Sequence, residues 1–326
     1  MNYTISKINL AELDTLHTGS PDLLSWSSVF VLPVWLKVWW DLFGSGHEML
    51  IYKVQLDGKT IGIAPLMKKG DAVSFLGGTD VCDYQDFIIE PGKEKDFFSA
   101  LLDDLKKQGV LFLNLAHLRP DSTVLTSLVP LTAEKGYTVE TVKEDVSYEM
   151  DLPATFEAYL ESLTTKQRHE VRRKLRRLTE EGDIKYRFIS QEPELSAALE
   201  TFFRMFVESR QDKAAFLTDK MKAYFKTLVT ALAHAGLLRL GVLELDGKPV
   251  AEIICFEYRS CMYLYNSGYD PQYIGLSAGL LSKVLAIKDS IDKGIKKFDF
   301  LKGPEPYKAH LGGKEVPLSR CRIDIK

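Results

Sequence analysis

Apolar and polar positions alternate through MLIYKVQLDGKTIGIAPLMKK, with a break at Asp57-Gly58, and the same alternation returns in LLRLGVLELDGKPVAEIICFEYR around Asp246-Gly247. A period of two predicts strands. Asp-Gly between two such runs predicts a two-residue hairpin turn, because glycine accepts the positive φ that the turn requires. The two turns lie 189 residues apart. After each hairpin come an extended run, a helical run closed by glycine, and a short apolar strand. These are AVSFLGG, KEKDFFSALLDDLKKQG and VLFLNLAHL in the first copy, and CMYLYNSG, LSAGLLSKVLAIKDSIDKG and IKKFDFLKG in the second. The matched order predicts an internal duplication and two similar α/β domains.

The join is placed in EDVSYEMDLPATFEAYLESL, where a strand-like run ends at Pro153 and helical periodicity begins, giving domains of 1–150 and 151–326. The next helix starts at a capping box, Thr164 with Gln167, and stops at Gly182. Earlier, Trp35, Val38, Trp39 and Leu42 fall at helical spacing after Pro33, as in a buried amphipathic helix or an interfacial one. The buried reading is favoured, since Lys37 alone stands near to hold anionic lipid.

A length of 326 residues suits two domains, and 45% apolar with 27% charged residues is the usage of a soluble globular protein. A net charge of -3 provides no field to draw the whole molecule onto DNA or an anionic membrane. The stretch SVFVLPVWLKVWWDLF is too short and too interrupted to span a bilayer, so no stable membrane insertion is expected. Cys82, Cys255, Cys261 and Cys321 form no CxxC pair, and the N-terminus lacks an apolar leader core, which points to the cytoplasm. Six scattered histidines form no HExxH, and no metal is expected.

The most informative segment lies between Leu264 and Lys308. Leu280, Val284, Ile287 and Ile291 mark one helix face, Lys283, Lys288 and Lys293 lie off it, and Gly275, Ser277 and Gly279 precede or open the helix. Small residues there admit a close ligand, and the free N–H groups of a first turn favour an anion such as pyrophosphate. The dinucleotide fingerprint and the P-loop are both absent. The local order is strand, strand, strand, helix, strand.

That order, with YNSGYDPQYIGLSAGLL and KGIKKFDFLKGPEPYKAHLGG, resembles the CelD-like and Fem-like branch of the GNAT acyltransferases, bacterial proteins built of two GNAT-type domains. The likeness extends to PVWLKVWW, DYQDFII, RHEVRRKLRRL and FVESRQDKAAF, and so over most of the chain. It implies a mixed-sheet α/β fold of two tandem GNAT-like domains and acyl transfer from acyl-CoA, for instance acetyl-CoA, to an amine acceptor of surface-polysaccharide or cell-wall chemistry. It further implies a thioester between the third strand and FDFL, with its pyrophosphate at the backbone of Ser277, Ala278, Gly279 and Leu280. Gln272 and Gly275 match the family's loop pattern, while an alternative register sets the tight turn at Ser277-Ala278-Gly279. The first domain has no such loop, so the second is expected to hold the donor. Fem-like enzymes that use aminoacyl-tRNA offer another donor, and a non-catalytic module that binds an anionic ligand is a third reading.

Amine attack on a thioester needs a base, donors for the oxyanion and a proton for the leaving thiolate. Tyr307 suits the acid, Glu305 or Asp299 the base, and Lys308, in a context the Fem-like proteins share, the stabilisation of negative charge. A solvated turn accounts equally well for Glu305 and Lys308, and a partner for backbone amides accounts for Asp299. Asn266 of the YNSG run, Arg210 of ESRQDK, and Asp83, Tyr84 and Asp86 of DYQD are candidate acceptor-binding residues, with a capping turn favoured for the DYQD run. From Lys166 to Arg177 the chain holds seven Lys or Arg and one acidic residue. Arg168, Arg172, Arg173 and Arg176 are therefore either an anion-binding face, for tRNA among others, or a solvated one.

Overall fold

The computed structural model describes residues 2–19, 22–209 and 211–325. The chain divides into two compact units, Met1–Val146 with Val316–Lys326, and Ser147–Glu315.

In the first unit β1 (Tyr3–Ile8), α1 (Leu10–Gly19) and α2 (Pro33–Phe43) precede β2 (Glu48–Leu56), β3 (Lys59–Lys69), β4 (Ala72–Phe75) and β5 (Ile88–Ile89). Then come α3 (Glu94–Lys107), β6 (Phe112–Leu118), α4 (Val129–Glu134) and β7 (Thr138–Asp151), whose residues 147–151 belong to the second unit. The second unit continues with α5 (Phe156–Ser162), α6 (Thr165–Glu181), β8 (Ile184–Ile189), α7 (Glu194–Ser209), α8 (Gln211–Phe216) and α9 (Asp219–His234). It is completed by β9 (Leu238–Leu245), β10 (Lys248–Tyr258), β11 (Cys261–Tyr269), α10 (Ala278–Asp292), β12 (Lys297–Lys302) and α11 (Pro306–His310), before β13 (Lys314–Asp324).

Strand order within the units is β1-β2-β3-β4-β6-β13 and β8-β9-β10-β11-β12-β7. Each holds an antiparallel hairpin, then a parallel pair, β4 with β6 and β11 with β12, across an intervening helix. Both hairpins turn where the sequence places them, with φ of 49° and 84° at Asp57-Gly58 and 49° and 73° at Asp246-Gly247. The repeated order is the structural form of the duplicated pattern.

The C-terminal residues depart from the sequence reading, which assigned them to the second domain. Val316–Lys326 clusters with the first unit: Cys321 and Ile323 stand opposite Leu115 and Leu113 of β6, and both pack with Ile325 into that unit's core. Alternation identifies a strand but carries no information on which sheet it joins. The capping box at Thr164 and Gln167 forms in full. Trp35, Val38 and Trp39 are buried, as the core reading of α2 requires. Among the described residues no helix is long and apolar enough to cross a membrane.

Glu252 is a buried acid of the second unit with an unpartnered oxygen. On β10 it stands between Val242 and Gly268, is 1% exposed, and its Oε2 finds no hydrogen-bond partner among the described residues. Burial pushes its carboxyl up to about 8, against the pull of Arg204 and Arg187 and with some help from Glu244. The folded chain then keeps a proton that the unfolded chain gives up above about pH 4.3. Stability from this position is intact in acid and is lost as pH rises from about 4.3 to about 8. Glu252→Gln is expected to gain about 3 kcal/mol over the wild type between pH 4 and pH 7, at 1.36 kcal/mol per pH unit. Urea unfolding at the two pH values measures it, and equal losses in both proteins would show that no neutral carboxyl is buried there.

Candidate active site

The parallel pairing of β11 with β12 covers three residues, from Cys261 opposite Lys297 to Tyr263 opposite Asp299. Yet β11 runs on to Tyr269 and β12 to Lys302, so beyond Tyr263 the two strands part. On the other side of β11 the register with β10 jumps between Ile254–Asn266 and Cys255–Leu264, which leaves Tyr265 as a bulge. A bulge removes backbone groups from the ladder and bends the strand, the usual device for opening a sheet beside a site.

A cavity of about 330 Å³ lies in this region. Its walls are Ser267 and Tyr269 of β11, Ile274, then Ser277, Ala278, Gly279, Leu280 and Lys283 around the start of α10, with Glu305, Tyr307 and Lys174. Ser277 takes the left-handed conformation (φ 59°, ψ 33°) and its side chain caps nothing. Its carbonyl receives the amides of Leu280 and Leu281, both at 3.0 Å. Ala278 and Gly279 are the remaining first-turn residues of the helix, and both line the cavity. The tight turn thus falls at Ser277, as the alternative register had it. Gln272 and Gly275 do not line the cavity, and a Cβ at Gly275 would meet open space. Gly279 differs: a Cβ there would stand 2.7 Å from Cδ1 of Tyr269.

Lys283, set by periodicity off the apolar face, is 6% exposed. Its Nζ donates to Gly279 O at 2.6 Å and stands 5.0 Å from the centre of the Tyr307 ring. A buried cation thus sits at the first turn of α10, where the sequence suggested none.

After β12, Leu301 has φ 60° and Gly303 φ 117°, and the carboxylate of Glu305 folds back over Gly303, where any Cβ would collide with it at 2.5 Å. Lys308 is 2% exposed and is absent from the cavity wall. Its Nζ donates to the carbonyls of Leu301 (2.9 Å), Lys302 (2.6 Å) and Gly303 (3.1 Å), and lies 3.0 Å from Glu305 Oε2. Asp299 is also off the wall; buried to 2%, its Oδ1 accepts the Leu301 amide at 2.7 Å. That is the backbone-partner role the sequence left open. Asn266 likewise lies off the wall, because side chains alternate along β11 and it is Ser267 that lines the cavity.

On α6, Arg172 pairs with Glu157, Arg173 with Glu170 through two nitrogens, and Arg176 with Glu180 at 3.5 Å. Arg168 reaches the carbonyl of Glu161 at 3.4 Å. The count of one acid within the basic run missed Glu157, on the preceding helix, and Glu180, beyond the end of the run. Lys174 of the same helix has no carboxylate within 4.0 Å among the described residues, and it lines the cavity.

Residues 165–309 match the family model described as an acetyltransferase (GNAT) domain. Among solved structures, FemX is 13% identical with a TM-score of 0.68, over 98% of this chain and 96% of that one. A tandem GNAT protein from the clavulanic acid biosynthesis pathway aligns over 98% of both chains, at 9% identity and a TM-score of 0.50. The L-PGS of Bacillus licheniformis aligns over 86% of this chain and 84% of its own, at 12% and 0.55. The fold is a tandem GNAT fold. No curated protein matches the sequence.

Within that tandem GNAT fold, the first unit has a largely buried segment after β4, where the second has the cavity loop. Parallel pairing of β4 with β6 covers Ala72–Phe112 and Val73–Leu113, after which residues 76–87 cross from β4 to the end of β6. Leu76 donates to Pro65 O at 2.8 Å and Gln85 Nε2 to Leu76 O at 2.7 Å, while His117 Nδ1 lies 3.1 Å from Cys82 O. Asp86 accepts from the amide (2.8 Å) and hydroxyl (2.5 Å) of Thr123, and burial pushes its carboxyl up to about 6 against those bonds. Asp83 and Tyr84 are buried, with Arg119 5.1 Å from the Tyr84 ring centre. For Asp86, these contacts run to Thr123, 37 residues along the chain, and are not those of a local capping turn. Arg210 lies outside the described residues. Among the described residues, no three His, Cys, Asp or Glu side chains come together as a metal site.

Proposed function

We propose that the second unit transfers an acyl group from acyl-CoA to an amine, and that the first is a GNAT-like unit without a donor site. One observation carries this reading. The parted strands β11 and β12, the first turn of α10, and the Glu305 and Tyr307 side chains meet at a single cavity inside the segment that matches the acetyltransferase family. The donor's diphosphate would rest on the amides of Ala278 and Gly279, with Lys174 and Lys283 adding positive charge, and its thioester arm would enter where the strands separate. Burial of residues 81–89 in the first unit supports one donor site per chain.

In the reaction the amine nitrogen forms a bond to the acyl carbon as the carbon–sulfur bond breaks. The amine's proton passes to Glu305, and Tyr307 protonates the departing thiolate. Lys308 is better assigned to holding the loop that presents both groups, since its ammonium is already occupied by three carbonyls and a carboxylate. The acceptor amine, by analogy with the CelD-like and Fem-like branch, belongs to surface-polysaccharide or cell-wall chemistry. An aminoacyl-tRNA donor suits the FemX-like fold, but the α6 arginines that would meet RNA phosphates are largely paired with carboxylates.

Calorimetry with CoA, combined with thiol release from acetyl-CoA over a panel of amines, tests the proposal. Tyr307→Phe is expected to lower kcat about tenfold to a hundredfold, at or below the usual range for general-acid catalysis because a thiolate leaves readily. CoA affinity should stay within about twofold of wild type. Unchanged turnover would remove Tyr307 from the chemistry, and failure of the wild type to bind CoA would remove the donor assignment altogether.

A further inference from the structure

Lys283 keeps a charge in a part of α10 that little water reaches. It is 6% exposed, its neighbours Ser282 and Val284 are fully buried, and its charge is felt by the buried thiol of Cys255 on β10. An ammonium in such a place is costly, and a methionine would fill similar space without that cost. Where the charge is held shows what it can do. Side chains on a helix lean toward its N-terminus, so the Lys283 stem runs back one turn and its Nζ donates to Gly279 O at 2.6 Å. There the ammonium stands over the ring of Tyr307, 5.0 Å from its centre and within reach of a cation–π contact. Phe300 lies at 75° to the same ring with centres 6.4 Å apart, a second contact that fixes the plane of the phenol.

We propose that Lys283 is a positioning residue for the transfer step, aligning the Tyr307 ring and favouring release of its proton. This rests on the acyl-transfer reading, in which Tyr307 is the acid, and adds to it the residue that equips a phenol for that work. As the carbon–sulfur bond breaks, its electron pair goes to sulfur, sulfur takes the phenolic proton, and the ring oxygen is left with negative charge. An ammonium beside the ring favours that charge where it develops. Lys283 keeps its own protons throughout, and the phenolate recovers one from water after the thiol departs. The same ammonium adds charge at the donor's diphosphate, but that is an effect on binding and needs no phenol.

A double-mutant cycle on the full chain tests this, with Lys283→Met, Tyr307→Phe and the two combined. Its readouts are thiol release from acetyl-CoA with an amine that the wild type uses, CoA affinity by calorimetry, and a thermal melt. Lys283→Met is expected to lower kcat about tenfold while Tyr307 is present, and by less than about twofold once Tyr307→Phe has removed the phenol. Any loss of CoA affinity should be the same in both backgrounds. Lys283→Gln can keep a hydrogen bond to Gly279 O without the charge, and it should lose kcat as the methionine variant does. Equal kcat losses in the two backgrounds, or full turnover by Lys283→Gln, would overturn the assignment while the donor site stands. If Tyr307→Phe turns over like the wild type, the acid reading fails first and takes this one with it.

Discussion

Gly279→Val is expected to abolish CoA binding while leaving the chain folded. A Cβ at this position would meet Cδ1, Cγ and Cβ of Tyr269 at 2.7, 3.1 and 3.4 Å, and two further methyl groups deepen the collision. These atoms belong to the root of the tyrosine side chain and cannot swing away as the tip of a lysine would. Either the Tyr269 ring moves into the cavity it lines, or the first turn of α10 moves away from it. Both outcomes spoil the proposed diphosphate seat. Overpacking costs about 1–3 kcal/mol. Replacing a helical glycine with valine, itself a weaker helix former than alanine, offsets only about 0.3–0.5 kcal/mol of this. Net stability should therefore change little beside the loss of binding. Adding Tyr269→Ala to the same chain relieves the contact and should restore part of the affinity. Normal CoA binding by the valine variant, measured by calorimetry beside a thermal melt, would mean that the donor is not held at this turn.

What the sequence discloses here follows from the range of the forces involved. Hairpins at Asp57-Gly58 and Asp246-Gly247, the capping box at Thr164, and the helix opening near Ser277 are set by neighbours within four residues, and each forms as its local pattern requires. The duplicated order survives because it is a succession of such local signals. Long-range pairings left no comparable mark. The carboxylate of Glu157 reaches Arg172 from another helix, and β13 returns to β6 after nearly 200 residues of chain. Nothing local singles out Lys283, off the apolar face, or Lys174, within the basic run, because the cavity that receives them is assembled from β11, α6, α10 and the loop after β12. Burial of residues 81–89 was equally hidden, since DYQD can sit at an open cleft or close one.

Lys308→Met is expected to destabilise the second unit by about 3–5 kcal/mol, the usual range for breaking a buried charge network from one side. The substitution keeps most of the side-chain volume and removes the ammonium, so the loss is not one of packing. Three carbonyls, those of Leu301, Lys302 and Gly303, would be left without this donor in a segment where Leu301 and Gly303 hold positive φ. Each buried acceptor left unmade costs about 1–3 kcal/mol, reduced where water can enter. The Glu305 carboxylate, 40% exposed, loses its ion pair but stays partly solvated, and so adds less. Activity should fall as well, because the same loop carries Glu305 and Tyr307, and loss of turnover alone therefore cannot separate a structural lysine from a catalytic one. Stability can. Urea unfolding of Lys308→Met beside Tyr307→Phe should show a large drop in the first and almost none in the second. A methionine variant as stable as wild type yet without turnover would return Lys308 to the chemistry, with its ammonium free to leave the carbonyls and meet the developing oxyanion.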